Sequence, residues 1–151
     1  MSHSRVLSRS ECVERLAGGQ VGRVAVCTPR GPRVVPVNYG LDEDSIVFRT
    51  TPFSVVGTHG WDRRLAFEVD HVEPEEERGW SVVATGLGVL VEDDSELENI
   101  RRSGDPTPWA DGERMLYIRL RWDDLTGREI ASRARTVQDS GGVIEDAGRK
   151  A

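Results

Sequence analysis

The chain has 151 residues, of which 37% are hydrophobic and 30% charged, with a formal net charge of -6. That composition is of one globular domain with a single core, and it excludes a disordered chain. The acidic balance argues against a nucleic-acid partner, no apolar run approaches the roughly 20 residues of a membrane span, and the first residues lack the apolar core of a signal peptide, so the expected location is cytoplasmic.

Ser8 is a helix N-cap signal, with Glu11 at the capping-box position and Leu7 and Cys12 at the staple positions. Cys12, Val13, Leu16 and Ala17 then form an apolar stripe at helical spacing, which Gly18-Gly19 ends. Residues 21–28, rich in β-branched side chains, predict a strand, and the breakers from Pro29 to Pro32 turn the chain. Residues 33–39 predict a second strand, in which Pro36 lacks a ladder donor and so belongs at an edge or a bulge. An acidic turn over 41–44 leads to a third strand over 45–50, with Ile46 and Phe48 on one face. Residues 51–60 break the β pattern and can form a short helix. A fourth strand, 65–72, alternates Leu65, Phe67 and Val69 against Ala66, Glu68 and Asp70.

An acidic linker over 73–77 precedes a long β-rich stretch, 80–91, in which Gly86 and Gly88 mark a bend or a close backbone approach. Residues 94–103 predict a short helix capped by Asp94 or Ser95, and 104–112 a loop containing Pro106, Pro108 and Trp109. Residues 114–122 alternate as a strand, and 126–130 predict a last short one. The polar tail from Ala131 has no period and is expected to be mobile or irregular, which gives a domain over 1–130 and a tail over 131–151. The fold class is mainly β (α+β), with short strands joined by turns round one core, which suggests a barrel. Cys12 and Cys27 lie in no CxxC pair, and both are expected to be buried small hydrophobes. His3, His59 and His71 have no metal-ligand spacing, so no metal site is expected.

Seven segments occur in a telling order: Gly22-Arg23-Val24-Ala25, Pro36-Val37-Asn38-Tyr39, Ile46-Val47-Phe48-Arg49-Thr50, Ala66-Phe67-Glu68-Val69-Asp70, Gly79-Trp80-Ser81-Val82-Val83, Pro108-Trp109-Ala110 and Thr126-Gly127-Arg128. The set resembles the actinobacterial-type branch of the pyridoxamine 5′-phosphate oxidase-like flavin-binding proteins, over residues 8 to 130. The resemblance implies a six-stranded split β-barrel of the FMN-binding type with a few short helices. It also implies a homodimer with the cofactor in a groove between subunits, FMN or the deazaflavin F420 as that cofactor, and a small-molecule substrate.

A flavin site needs a planar slot, hydrogen bonds to the pyrimidine edge, and cations or N–H donors for the phosphate. By resemblance, Val37, Asn38 and Tyr39 match the strand along the ring, where backbone groups or the Asn38 amide meet the polar edge. The alternative is that Asn38 opens the turn before Gly40 and Tyr39 packs on the core. Arg49, Thr50 and Ser54 are the phosphate candidates, through a guanidinium fork and two hydroxyls; the alternative for Arg49 is a solvated charge at a strand end. Trp80 and Ser81 align with the strand that approaches the flavin, and Trp109 with a loop that reaches the dimer groove. Each indole can stack on the ring or instead anchor the core or the dimer. The chain departs from the family where a glycine, a small polar residue and a lysine are usual: it has Pro52-Phe53-Ser54-Val55, with Val55 at the lysine position.

No nucleophile–base pair or carboxylate dyad is visible, which fits chemistry carried by a cofactor. The first expectation is an FMN-dependent oxidoreductase. The alternatives are an F420-dependent reductase, and a non-enzymatic flavin or tetrapyrrole carrier or a relative that has lost cofactor binding. Pyridoxamine phosphate oxidation itself is not expected, because Arg128, Arg133 and Arg135 do not form an arginine-rich C-terminal strand.

Overall fold

The structure is a computed structural model, and it describes residues 2–132. In chain order it runs β1 (Ser2–Val6), α1 (Arg9–Ala17), β2 (Val21–Thr28), β3 (Gly31–Asp42), β4 (Ser45–Thr50), α2 (Val55–His59), β5 (Arg63–Glu73), a 3-10 turn (Pro74–Glu76), β6 (Arg78–Val91), α3 (Asp94–Gly104) and β7 (Leu116–Ser132). The sheet order is β1-β7-β4-β3-β2-β5-β6, and β6 pairs in turn with β7. Strands β2 to β7 therefore close into a six-stranded antiparallel ring, as the split-barrel expectation required, and closure removes most free sheet edges.

Strand β1 stands outside that ring, and no apolar pattern announced it. Among the described residues it pairs only with the end of β7, from Ser2↔Ser132 to Val6↔Arg128. Strand β7 is also longer than expected, because the two segments 114–122 and 126–130 are one strand. The pairing steps from Thr85↔Asp124 to Gly86↔Trp122, so Asp123 is the extra residue of a bulge. Gly86 permits it: a Cβ there would lie 2.0 Å from the Arg121 carbonyl oxygen. The bend lets β7 pair with β4 along its first part and with β1 along its last. Of the polar tail expected from Ala131, Ala131 and Ser132 continue β7, and the remainder lies outside the described residues.

Alternation along each strand sorts the side chains. Val24, Val26, Ile46, Phe48, Leu65, Phe67, Val82, Ala84, Ile118 and Leu120 point inward and are buried. Helix α1 closes one end of the barrel through Cys12 and Leu16, and its capping box forms between Ser8 and Glu11. A second, smaller cluster of Val47, Val91, Ile100 and Tyr117 lies outside the wall, beneath α3. Cys27 corrects an expectation: it has outward parity at the end of β2 and is exposed, whereas Cys12 is buried. Pro36 lies where an edge was expected. The Tyr39 N–H donates to Gln20 O, so by alternation Val34, Pro36 and Asn38 turn their backbone groups away from β2. Strand β4 pairs with β3 only from Tyr39 onward, so among the described residues the missing N–H of Pro36 faces a margin with no strand paired to it. No helix among the described residues is long and apolar enough to cross a membrane.

Candidate functional site

The register of the ring lines up a row of outward side chains across the sheet. Asn38 pairs with Val21, Asp70 with Ser81, and Ser81 with Arg128. The β3–β4 pairing runs Gly40↔Val47 and Tyr39↔Phe48, and one residue further Asn38 faces Arg49. The β2–β5 pairing includes Arg23↔Glu68, and two residues further Val21 faces Asp70. Arg49, Asn38, Val21, Asp70, Ser81 and Arg128 thus share one line, each on a separate strand and each on the outer face. With strands about 4.8 Å apart, Asn38 and Ser81 are separated by roughly 14 Å along the sheet.

One end of the row is roofed by the loop after α3. The Asn38 Oδ1 accepts the Trp109 N–H at 3.0 Å, which pins the loop and leaves the Trp109 ring 72% exposed. Gly40 permits the approach, since a Cβ there would lie 2.7 Å from the Gly104 carbonyl oxygen. Arg49 is half-buried; its Nε donates to Arg114 O at 3.1 Å, and its guanidinium lies 5.0 Å from the centre of the Tyr117 ring. The Tyr117 hydroxyl in turn donates to the Asp105 carboxylate.

The other end of the row opens into a cavity of about 400 Å³, with Val72, Pro74, Trp80 and Ile130 as apolar walls. Asp70, Glu73, Glu77, Arg78, Ser81 and Arg128 supply its polar groups. Arg128 is exposed, and among the described residues no carboxylate lies within 4.0 Å of its guanidinium. Beside it, Arg23 bridges Asp70 at 2.6 Å and Glu68 at 2.7 Å, and Asp70 above all holds the Arg23 guanidinium in its charged form. The cavity's other cation, Arg78, is held by Glu73 and Glu76, which leaves Arg128 as the cavity arginine with no carboxylate partner among the described residues.

The residues expected together from the sequence separate by face. Asn38, Arg49 and Ser81 lie in the outward row, and Trp109 is tied to it. Val37 and Tyr39 have the opposite parity and turn to the core. The Tyr39 hydroxyl donates to Leu16 O, its ring meets Phe67 edge-on at 5.0 Å, and burial pushes its phenol up to about 12. Its backbone remains near the row, but its side chain is a core residue. Thr50 is buried on the inner side of β4 and shares a 2.6 Å hydrogen bond with Ser54. The Ser54 hydroxyl caps α2 by accepting the Gly57 N–H and donates to Thr51 O. Those two hydroxyls organise the α2 turn, and strand alternation keeps the Thr50 side chain from the face that Arg49 occupies. Trp80 likewise faces away from Ser81. It lies under α1, with the Arg15 guanidinium 5.1 Å from its ring and His71 stacked at 6.4 Å, and only its flank reaches the cavity.

Arg128, Asp70 and the group of Tyr117, Asp105, Arg101 and Arg114 were not singled out from the sequence as site residues. A period-two reading of β7 would have put Arg128 on one face with Ile130. Nothing local signalled that α3 and the following loop fold back on Arg49.

The sequence profile of the family described as pyridoxamine 5′-phosphate oxidase matches residues 8–129. An uncharacterized protein of Mycobacterium tuberculosis is 29% identical over 135 residues, spanning 86% of this chain and 88% of that protein. The FAD binding protein from Mycobacterium smegmatis superposes with a TM-score of 0.72 at 23% identity, over 84% of this chain and 98% of its own. A FAD-binding protein from Mesorhizobium loti gives 0.70 at 22% identity, over 87% and 100%. At that identity the two structures establish the fold.

Proposed function

The chain belongs to the pyridoxamine 5′-phosphate oxidase family, and from that premise we propose that it binds a flavin along the outward row as a homodimer and uses it to oxidise or reduce a small molecule. FMN is the flavin assigned first. One observation carries the assignment: Arg49, Asn38, Ser81 and Arg128 fall on one line of one face, with a cavity at one end and an exposed indole over the other. A flat heteroaromatic ring with a polar edge and an anionic arm fits such a line. Two proteins of the same fold are FAD-binding by name, which supports a flavin.

In this assignment the Asn38 amide N–H groups, left over once Oδ1 holds Trp109, meet ring carbonyls. The Ser81 hydroxyl adds a second hydrogen bond, and the Trp109 ring covers the ring face and excludes water. Arg49 holds the phosphate. A bound flavin supplies hydride transfer, so the chain needs only to bind and orient. Outward apolar side chains, Val34 at 65%, Leu87 at 47% and Val89 at 43% exposed, offer surface for a second copy to cover.

A second reading is an F420-dependent reductase. The apolar loop favours it, with Phe53 97% exposed and Val55 at the position of the usual cation. Fluorescence titration of the full chain with FMN and with F420 decides between them. FMN saturating at micromolar concentration or below supports the first assignment, and a clear preference for F420 moves the function to the second. Folded protein that binds neither would refute both and leave the carrier or cofactor-free alternatives.

A further inference from the structure

We propose that Arg49, Arg101 and Arg114 form a subsite for a phosphate-type oxyanion, built round the buried ring of Tyr117. Arg49 and Tyr117 are cross-strand partners on β4 and β7, and Tyr117 is 4% exposed. The Arg49 guanidinium approaches the ring centre at 5.0 Å, and Arg101, from the last turn of α3, at 5.8 Å. Stacking on a ring orders a guanidinium without using its N–H donors, so the Arg101 fork and the Arg49 Nη2 stay available for an oxyanion.

The hydrogen bonds point the same way. The Arg49 Nε is occupied by Arg114 O, while its Nη1 makes only a 3.5 Å approach to Asp105, whose carboxylate already accepts the Tyr117 hydroxyl at 3.0 and 3.2 Å. Among the described residues no carboxylate lies within 4.0 Å of the Arg101 or Arg114 guanidinium. All three arginines line one cavity of about 560 Å³, with Asp105 and Glu113 as its acidic residues. In a chain of net charge -6 this is a locally cationic pocket, and the oxyanion is the partner it lacks. The inference rests on the flavin assignment only for the molecule that brings the oxyanion, which is either the flavin's own phosphate or a phosphate-bearing substrate.

The test uses the full chain with FMN, riboflavin (the same ring without phosphate) and inorganic phosphate as probes. Wild-type protein is expected to bind FMN about tenfold to hundredfold more tightly than riboflavin. Arg101→Gln and Arg114→Gln should each erase most of that preference and leave riboflavin affinity unchanged, while Arg101→Lys keeps part of it. Inorganic phosphate should raise the Tm of the wild type and not that of the double variant. Arginine-dependent stabilisation by phosphate with equal FMN and riboflavin affinity supports the subsite and gives it to a substrate. The same stabilisation with no flavin binding at all supports the subsite and sinks the flavin assignment. No stabilisation by phosphate and no preference for FMN overturns the subsite, and continued riboflavin binding would then leave the flavin assignment standing.

Discussion

Tyr39→Phe separates a core residue from a cofactor ligand. The side chain is 6% exposed, its ring packs on Phe67, and its hydroxyl donates to Leu16 O at the end of α1. Phenylalanine keeps the ring and deletes the donor. The carbonyl is not orphaned, because the Gly19 N–H also reaches it at 3.3 Å. The cost at neutral pH is therefore that of one ordinary hydrogen bond, about 1 kcal/mol, or roughly 2–4 °C in Tm. A second signature lies at high pH. Burial pushes the Tyr39 phenol up to about 12 from an ordinary value of 10.0. Because the folded value is the raised one, this stabilisation is present below pH 10 and is lost between pH 10 and 12, where the unfolded chain ionises first. Two pH units correspond to about 3 kcal/mol at most. Urea denaturation from pH 7 to 12 should thus show a steep alkaline fall in the wild type and a shallower one in Tyr39→Phe. FMN affinity should change less than twofold. A tenfold loss of FMN affinity at unchanged stability would refute the core placement, as would ionisation of Tyr39 near pH 10.

Gly86→Ala should destabilise by about 2 kcal/mol or more in urea, since the added Cβ meets the Arg121 carbonyl oxygen at 2.0 Å and backbone cannot yield as a side chain does; a change below 0.5 kcal/mol would show that the bulge is loosely held. Glu11 is held down to about 2, mainly by the Ser8 N–H and next by Arg5. Its stabilisation of α1 is present above its ordinary 4.5 and fades as the pH falls towards 2, so Glu11→Gln should flatten the acid limb of a far-UV circular dichroism titration. Arg128→Met removes the cavity arginine that has no carboxylate partner among the described residues and should weaken FMN about tenfold with Tm unchanged, because none of the ion pairs described is lost with it; equal FMN affinity would remove Arg128 from the site. Sedimentation equilibrium should give twice the chain mass, and a monomer at all concentrations would contradict the homodimer.

Much of the barrel could be read locally. The Ser8–Glu11 box, the alternation of 65–72 and the donorless Pro36 each follow from chemistry within a few residues, and each has its counterpart in the structure. Strand β1 could not be read that way, because Ser2–Val6 is polar and is recruited through the backbone of distant β7. Asp123-Asp124 resembled a break because a bulge residue looks like a turn until its partner strand is known. The candidate residues stand as neighbours in the sequence, and strand parity parts them. Arg49 with Thr50, and Trp80 with Ser81, are neighbours in sequence, and in a strand neighbours face opposite sides. The clustering of Arg101 and Arg114 on Arg49 depends on the return of α3, which no short-range pattern encodes.

The absorbance spectrum of the purified full chain, with mass analysis of whatever is released on denaturation, addresses the flavin most directly. A flavin spectrum and a released mass of FMN are expected, in a form that Ser81→Leu loses while remaining folded. Colourless wild-type protein that takes up neither FMN nor F420 at micromolar concentration would contradict it.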